Sequence, residues 1–200
     1  MQTYWRISMN VVPFLTYIII TAITPGPNNI MSMTHASRMG FKKSYPFNLG
    51  IFLGTTMVMV LTTLFSSLFF SYIPKAEPFM LIIGAGYLLY LAYKIMTSGK
   101  EIRTGTMTEA RFIPGVLLQF INPKLYIYSI TAMGSYILPH YRETGTLLLF
   151  AFFLAVVGFL CTVLWALFGS LFRKLFSDQG KLINTIMALL LVYSAISLFL

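Results

Sequence analysis

Charge is what this sequence has least of. Only 10% of its 200 residues are Asp, Glu, Lys or Arg, and 58% are hydrophobic. An ordinary soluble domain carries about 25% charged residues, so this composition, with a mean hydropathy of +0.80, is that of an integral membrane protein. Acids are scarcest: the five are Glu77, Glu101, Glu109, Glu143 and Asp178, all between apolar runs or at their edges. The lone cysteine, Cys161, excludes an intramolecular disulfide, a thiol–disulfide electron carrier and a cysteine-rich metal site. It reads as a small packing residue. The two histidines, His35 and His140, form no arrangement with Ser135 that would serve an intramembrane protease. No set of residues suggests a metal or a soluble cofactor, so none is expected. The alternation of a membrane β-barrel is also missing, which leaves helices.

What is present is a series of long apolar runs. Six spans are expected: Val11 to about Met33, a second within Ser44–Pro74, Pro78 to about Met96, Phe112 to about Leu138, Gly145 to about Phe172, and Leu182 to Leu200. Each approaches or exceeds the ~20 residues of a helical crossing. The first run follows Arg6 and could pass for a signal peptide. It is too long, and Pro25 and Asn28 stand where small cleavage-site residues would be, so it is expected to be retained.

The formal net charge of +9 does not indicate nucleic acid, because the basic residues fall in short clusters between spans. Arg38, Lys42 and Lys43 follow span one. Lys100, Arg103 and Arg111, with Lys94 at the edge, follow span three, and Arg173, Lys174 and Lys181 follow span five. The alternate loops hold only Lys75 and Arg142, and the ends only Arg6. The positive-inside rule puts the three basic loops in the cytoplasm and both termini outside. Trp5, Tyr72, Tyr136 and Tyr141 read as interfacial belt residues.

The linker-like stretch Thr97–Glu109 divides the chain into two halves of three spans, about 1–98 and 108–200, within one transmembrane domain covering 1–200. An odd number of spans per half forces opposite orientations, the arrangement of an inverted repeat. Each half also opens with a proline-interrupted span. Thr24-Pro25-Gly26-Pro27-Asn28-Asn29 breaks the first and Asn122-Pro123-Lys124 the fourth, with prolines 96 and 98 residues apart. Proline removes an N–H donor and frees a carbonyl, and in lipid those groups must be answered by neighbouring helices or a polar cavity. Paired broken helices in corresponding positions are the sequence signature of a midplane transport site.

The second break holds Lys124 within a span that has no acid. An ammonium at the centre of a membrane helix costs about 2.5–3.5 kcal/mol on insertion scales. Its partner is either a substrate carboxylate or carbonyls exposed by the breaks. Asn28, Asn29 and Asn122 can bind a substrate amino group or simply cap the breaks, and the turn after Pro27 offers free N–H groups to an anion. Tyr126 and Tyr128 follow Lys124 and either line the pathway or pack. Gly50 and Gly54 form a GxxxG pair that reads as close helix packing. A channel or another six-helix membrane protein without active export fits the same features, since broken helices also line pores.

The TPGPNN stretch, Gly50-x3-Gly54 and Leu118–Lys124 (LQFINPK), in this order in a chain of this length, resemble the LysE/RhtB family of amino-acid exporters. Within that family Ile20–Ile30, Tyr128–Ala132 and Met187–Tyr193 resemble the cysteine/O-acetylserine exporter branch. The resemblance implies a secondary transporter, not an enzyme. It would move cysteine, O-acetylserine or homoserine- and threonine-like amino acids outward across the inner membrane by proton antiport. Partners would be the amino acid and the lipid bilayer, without nucleic acid, and self-association is left open. Antiport needs a group that changes charge, and Lys124 is the candidate in a chain without buried carboxylates.

Overall fold

The computed structural model describes residues 9–97, 111–172 and 180–199. The linker expected at 97–109 therefore lies outside the described residues beyond Thr97, as do Trp5, Arg6, Lys100, Arg103, Arg173 and Lys174. Among the described residues the chain is helical, with no strand. The helices are α1 (Val11–Ile23), α2 (Pro27–Met39), α3 (Phe41–Leu64), α4 (Ser66–Thr97), α5 (Phe112–Phe120), α6 (Pro123–Thr131), α7 (Thr144–Leu171) and α8 (Gly180–Ile196), with a π-helical turn at Ala132–Ile137 after α6.

Both expected breaks are present. Thr24, Pro25 and Gly26 separate α1 from α2, which are bent by 48° relative to each other. Ile121 and Asn122 separate α5 from α6. In each case a proline takes the first position of the following helix, Pro27 in α2 and Pro123 in α6. There its missing N–H would have had no helical partner anyway.

One boundary differs from the sequence reading. The second and third spans were expected to meet near Pro74–Pro78, but α3 stops at Leu64 and α4 runs unbroken from Ser66 through both prolines. The 24 residues of α3 rise about 36 Å at ~1.5 Å each, already enough to cross a ~30 Å hydrocarbon layer. The two prolines then lie within the next helix because a membrane helix tolerates proline where the freed backbone groups are satisfied by other means. The turn joining α2 to α3 is shorter than expected, being only Gly40. Its φ of 83° lies in the left-handed region that favours glycine.

Two apolar cores flank the breaks. One joins Phe14 and Ile18 of α1 to Val58 and Met59 of α3, Leu125 and Tyr128 of α6, and Leu154 of α7. The other joins Ile30 and Met33 of α2 to Leu88 and Leu91 of α4 and Met187 and Leu191 of α8. The first break thus lies where the chain passes from one core to the other. Helices α3 and α7, and the α1–α2 pair taken together, are long and apolar enough to cross a membrane. Their outward faces carry large exposed apolar side chains such as Val12, Leu149 and Leu164, as a lipid-facing surface requires.

Backbone contact is close where small residues meet. A Cβ on Gly50 would run into the carbonyl of Phe112, and one on Gly54 would lie 2.7 Å from the carbonyl oxygen of Val116, so both glycines let α3 lie against α5. Gly169 of α7 does the same against the Met33 carbonyl of α2.

Candidate functional site at the two helix breaks

The first break frees a row of carbonyls, and each is met. Thr24 N–H donates to the Ile20 carbonyl at 3.1 Å, and its hydroxyl to the Thr21 carbonyl at 2.9 Å. The Asn29 amide spans the gap, donating to the carbonyls of Ala22 at 2.8 Å and Thr24 at 2.9 Å. Trp165 of α7 donates its indole N–H to Ile23 at 3.0 Å. The Ser194 hydroxyl of α8 lies 3.2 Å from the Pro25 carbonyl and 2.8 Å from that of Leu190, and can donate to either. Backbone groups withheld from both water and helix must find such partners.

Lys124 reaches from the second break to the first. Its ammonium donates to the Thr24 carbonyl at 2.9 Å, the Thr24 hydroxyl at 2.9 Å and the Pro25 carbonyl at 3.3 Å. The exposed carbonyls are one of the two kinds of partner foreseen for it. The negative end of the α1 dipole points the same way and adds to the attraction. Gly26 leaves room for this: a Cβ there would meet Lys124 Cδ at 3.0 Å and Nζ at 3.1 Å.

A second tie joins the breaks on the other side. Asn28 and Gln119 exchange reciprocal amide hydrogen bonds, Asn28 Nδ2 to Gln119 Oε1 at 2.9 Å and Gln119 Nε2 to Asn28 Oδ1 at 3.0 Å. Gln119 Oε1 also accepts from the Thr55 hydroxyl of α3 at 3.3 Å, and Asn28 Oδ1 from Asn122 Nδ2 at 3.3 Å. Gln119 is fully buried. The sequence reading missed it, although an amide in an apolar helix three residues before the break is the kind of polar group that is expensive in lipid and rarely idle.

Two cavities adjoin this crossing. The smaller lies toward α7, lined by Asn28, Asn29, Tyr128, Gly158 and Thr162. The larger, about 290 Å3, lies toward α4 and α8, lined by Thr24, Pro25, Leu88, Tyr193, Ser194 and Ser197. That volume is near the lower end of the ~300–1,000 Å3 of small-molecule pockets. Gly26, Pro27, Asn122 and Lys124 line both. Of the buried side-chain atoms without a hydrogen-bond partner among the described residues, two belong to the cavity lining, the Oδ1 of Asn122 and the hydroxyl of Tyr128. Such groups are costly unless a ligand or water serves them. Tyr128 stacks on Tyr17 with ring centroids 6.3 Å apart. Tyr126 turns elsewhere: its hydroxyl donates to the Phe120 carbonyl at 3.2 Å, and it lines neither cavity. Gly50 and Gly54 are also apart from the cavities, at the α3–α5 contact.

The model of a family described as LysE type translocator matches residues 19–200. The chain is 37% identical over 186 residues to a cysteine/O-acetylserine efflux protein of Escherichia coli strain K12, covering 93% of this chain and 95% of that one. It is equally similar, with the same coverage, to the proteins of that name from Shigella flexneri serotype 5b and Shigella sonnei. No solved structure matches it.

Proposed function

Because this chain belongs to the LysE type translocator family, whose members are transporters and not enzymes, we propose that it exports small amino acids of the cysteine and O-acetylserine class across the bacterial inner membrane by proton antiport. The relatives that bear that name align over nearly their whole length, which supports carrying the substrate class over.

The observation that carries the site assignment is Lys124. It is a cation within a broken helix, reaching the opposite break at 2.9 Å, where no carboxylate lines either cavity among the described residues. An ammonium held at membrane depth beside a cavity is suited to an amino acid's carboxylate. Asn122 Oδ1, buried and unpartnered, is an acceptor suited to the amino group, and the Tyr128 hydroxyl can meet a polar side chain. Thr24, Pro25, Gly26, Pro27, Asn28, Asn29 and Pro123 build the walls and the backbone geometry. Tyr126 serves the second break and not the substrate.

The architecture is six spans, counting α1–α2 and α5–α6 as one each, in two inverted repeats of about 1–98 and 108–200. The packing supports this. Exchanging the halves turns the contact of α2 with α7 into that of the α5–α6 span with α3, and that of α2 with α8 into that of α6 with α4; all four contacts exist. The α3–α7 and α4–α8 contacts map onto themselves. Both termini are periplasmic, a placement that rests on the loop charges.

The test is uptake of labelled cysteine, O-acetylserine and homoserine into everted vesicles, with and without a proton gradient. Saturable, gradient-dependent uptake is expected. Absence of transport of any of them defeats the reading, and a linear conductance would make the protein a channel.

A further inference from the structure

The hydrogen bonds of Lys124 leave it nothing to offer a substrate. An ammonium has three donors, and all three are engaged by Thr24 O, Thr24 Oγ1 and Pro25 O. A carboxylate can be received only if at least one of these is released. The three acceptors, however, do not depend on the lysine. Thr24 O also accepts from Asn29 Nδ2 at 2.9 Å. Thr24 Oγ1 keeps its own donation to the Thr21 carbonyl. Pro25 O lies 3.2 Å from the Ser194 hydroxyl.

Ser194 is the telling partner. Its hydroxyl oxygen lies within reach of two carbonyls, Pro25 O at 3.2 Å and Leu190 O at 2.8 Å, and it has one proton to give. While Lys124 holds Pro25 O, that proton can rest on Leu190 O. When Lys124 leaves, it can turn to Pro25 O. Neither position strands a backbone group. Ser194 is 5% exposed and lines the larger cavity together with Pro25, so its hydroxyl is already in place at the vacated carbonyl.

We propose that Lys124 is a latch across the two breaks, that substrate binds by exchanging its carboxylate for the break carbonyls on the ammonium, and that Ser194 is the positioning residue that makes this exchange reversible by taking over the vacated Pro25 carbonyl. This rests on the amino-acid reading of the site. It adds that the latched and substrate-bound states compete for one cation. The apparent affinity is then the intrinsic one reduced by the fraction of protein that is latched. Because Lys124 lines both the α7-side and the α8-side cavity, release of the latch changes the wall of each.

Competition predicts effects of opposite sign from neighbouring substitutions. Thr24→Val removes one acceptor of the latch and so favours the open state. Gly26→Ala does the same by a different route, pushing a methyl against Lys124 Cδ and Nζ. Its φ of −169° is extended backbone that alanine adopts freely. Ser194→Ala leaves the Pro25 carbonyl unserved only when the latch is open, and so favours the latched state. The measurement is equilibrium binding of labelled L-cysteine and O-acetyl-L-serine to the purified full-length chain in lipid nanodiscs. Thr24→Val and Gly26→Ala should bind roughly two- to tenfold more tightly than the wild type, and Ser194→Ala weaker by a similar factor, the range of one net hydrogen bond. Thr24→Ser and Ser194→Thr, which keep the hydroxyl, should restore wild-type affinity. A general loss of packing would weaken binding in every variant. Shifts all in one direction, or none beyond twofold, overturn the latch while leaving the transport reading standing. Failure of the wild type to bind either amino acid overturns the transport reading, and the latch with it.

Discussion

The amide pair between Asn28 and Gln119 should be measurable as an energetic coupling between two helices that are 91 residues apart in sequence. The perturbation is a double-mutant cycle of Asn28→Ala and Gln119→Leu, leucine being close to glutamine in volume. Two reciprocal bonds of 2.9 and 3.0 Å are lost whichever partner is removed. Interhelical hydrogen bonds in membrane proteins average about 0.6 kcal/mol each, with a ceiling near 1.7 kcal/mol. The expected coupling is therefore about 1 kcal/mol and no more than about 3.5 kcal/mol. Gln119→Leu alone should cost about 2 kcal/mol, since it also removes the acceptor of the buried Thr55 hydroxyl. The assay is equilibrium unfolding of the purified protein by SDS titration from mixed micelles. The Trp165 indole, which donates to Ile23 beside the break, reports through its fluorescence. Additivity of the two single changes to within about 0.3 kcal/mol, the behaviour of independent sites, would refute the idea that this pair ties the breaks together.

The remaining predictions use the same preparations. Gly50→Ala should lower the unfolding midpoint by an amount equivalent to about 1–3 kcal/mol, because its methyl meets the Phe112 carbonyl and α3 cannot move away without losing α5. Gly86→Ala, with nothing within 4 Å of the new methyl, should leave the midpoint unchanged or raise it. Tyr128→Phe should leave stability intact, since the hydroxyl it removes has no partner. It should alter the ratio of O-acetylserine to cysteine uptake, and an unchanged ratio would remove Tyr128 from substrate recognition. Lys124→Arg should abolish the pH dependence of export if Lys124 carries the coupling proton, because a guanidinium stays protonated throughout the working range; an unchanged pH profile assigns the proton elsewhere.

How much of the site could be read from the chain depends on the kind of residue. Prolines and glycines act on their own backbone, so Pro25, Gly26, Pro27 and Pro123 announce two breaks without reference to any neighbour. Lys124 also stood out, because a cation in an apolar run is costly wherever the run packs. Gln119 and Ser194 did not. A glutamine or serine in a membrane helix can bond its own turn, as both also do here with Gly115 and Leu190. Only a partner from another helix gives either a role. Tyr126 and Tyr128, two residues apart, read alike in sequence, yet the helical turn sends one hydroxyl back to Phe120 and buries the other beside the smaller cavity. The turn at Phe65 was misplaced because an uncharged run longer than one crossing carries no mark of where the crossing ends.

The sequence by itself determined that this is a helical membrane protein with breaks in its first and fourth apolar runs, and that a lone lysine sits at one of them. Those features follow from local terms: transfer free energy, run length and the missing donors of proline. The tertiary structure alone decided that the lysine of the second break reaches the carbonyls of the first, and that Ser194 lies within hydrogen-bond distance of one of them. Hydrogen-bond partners 100 or more residues apart follow from which helices pack together, and that is a property of the assembled fold and not of any stretch of chain.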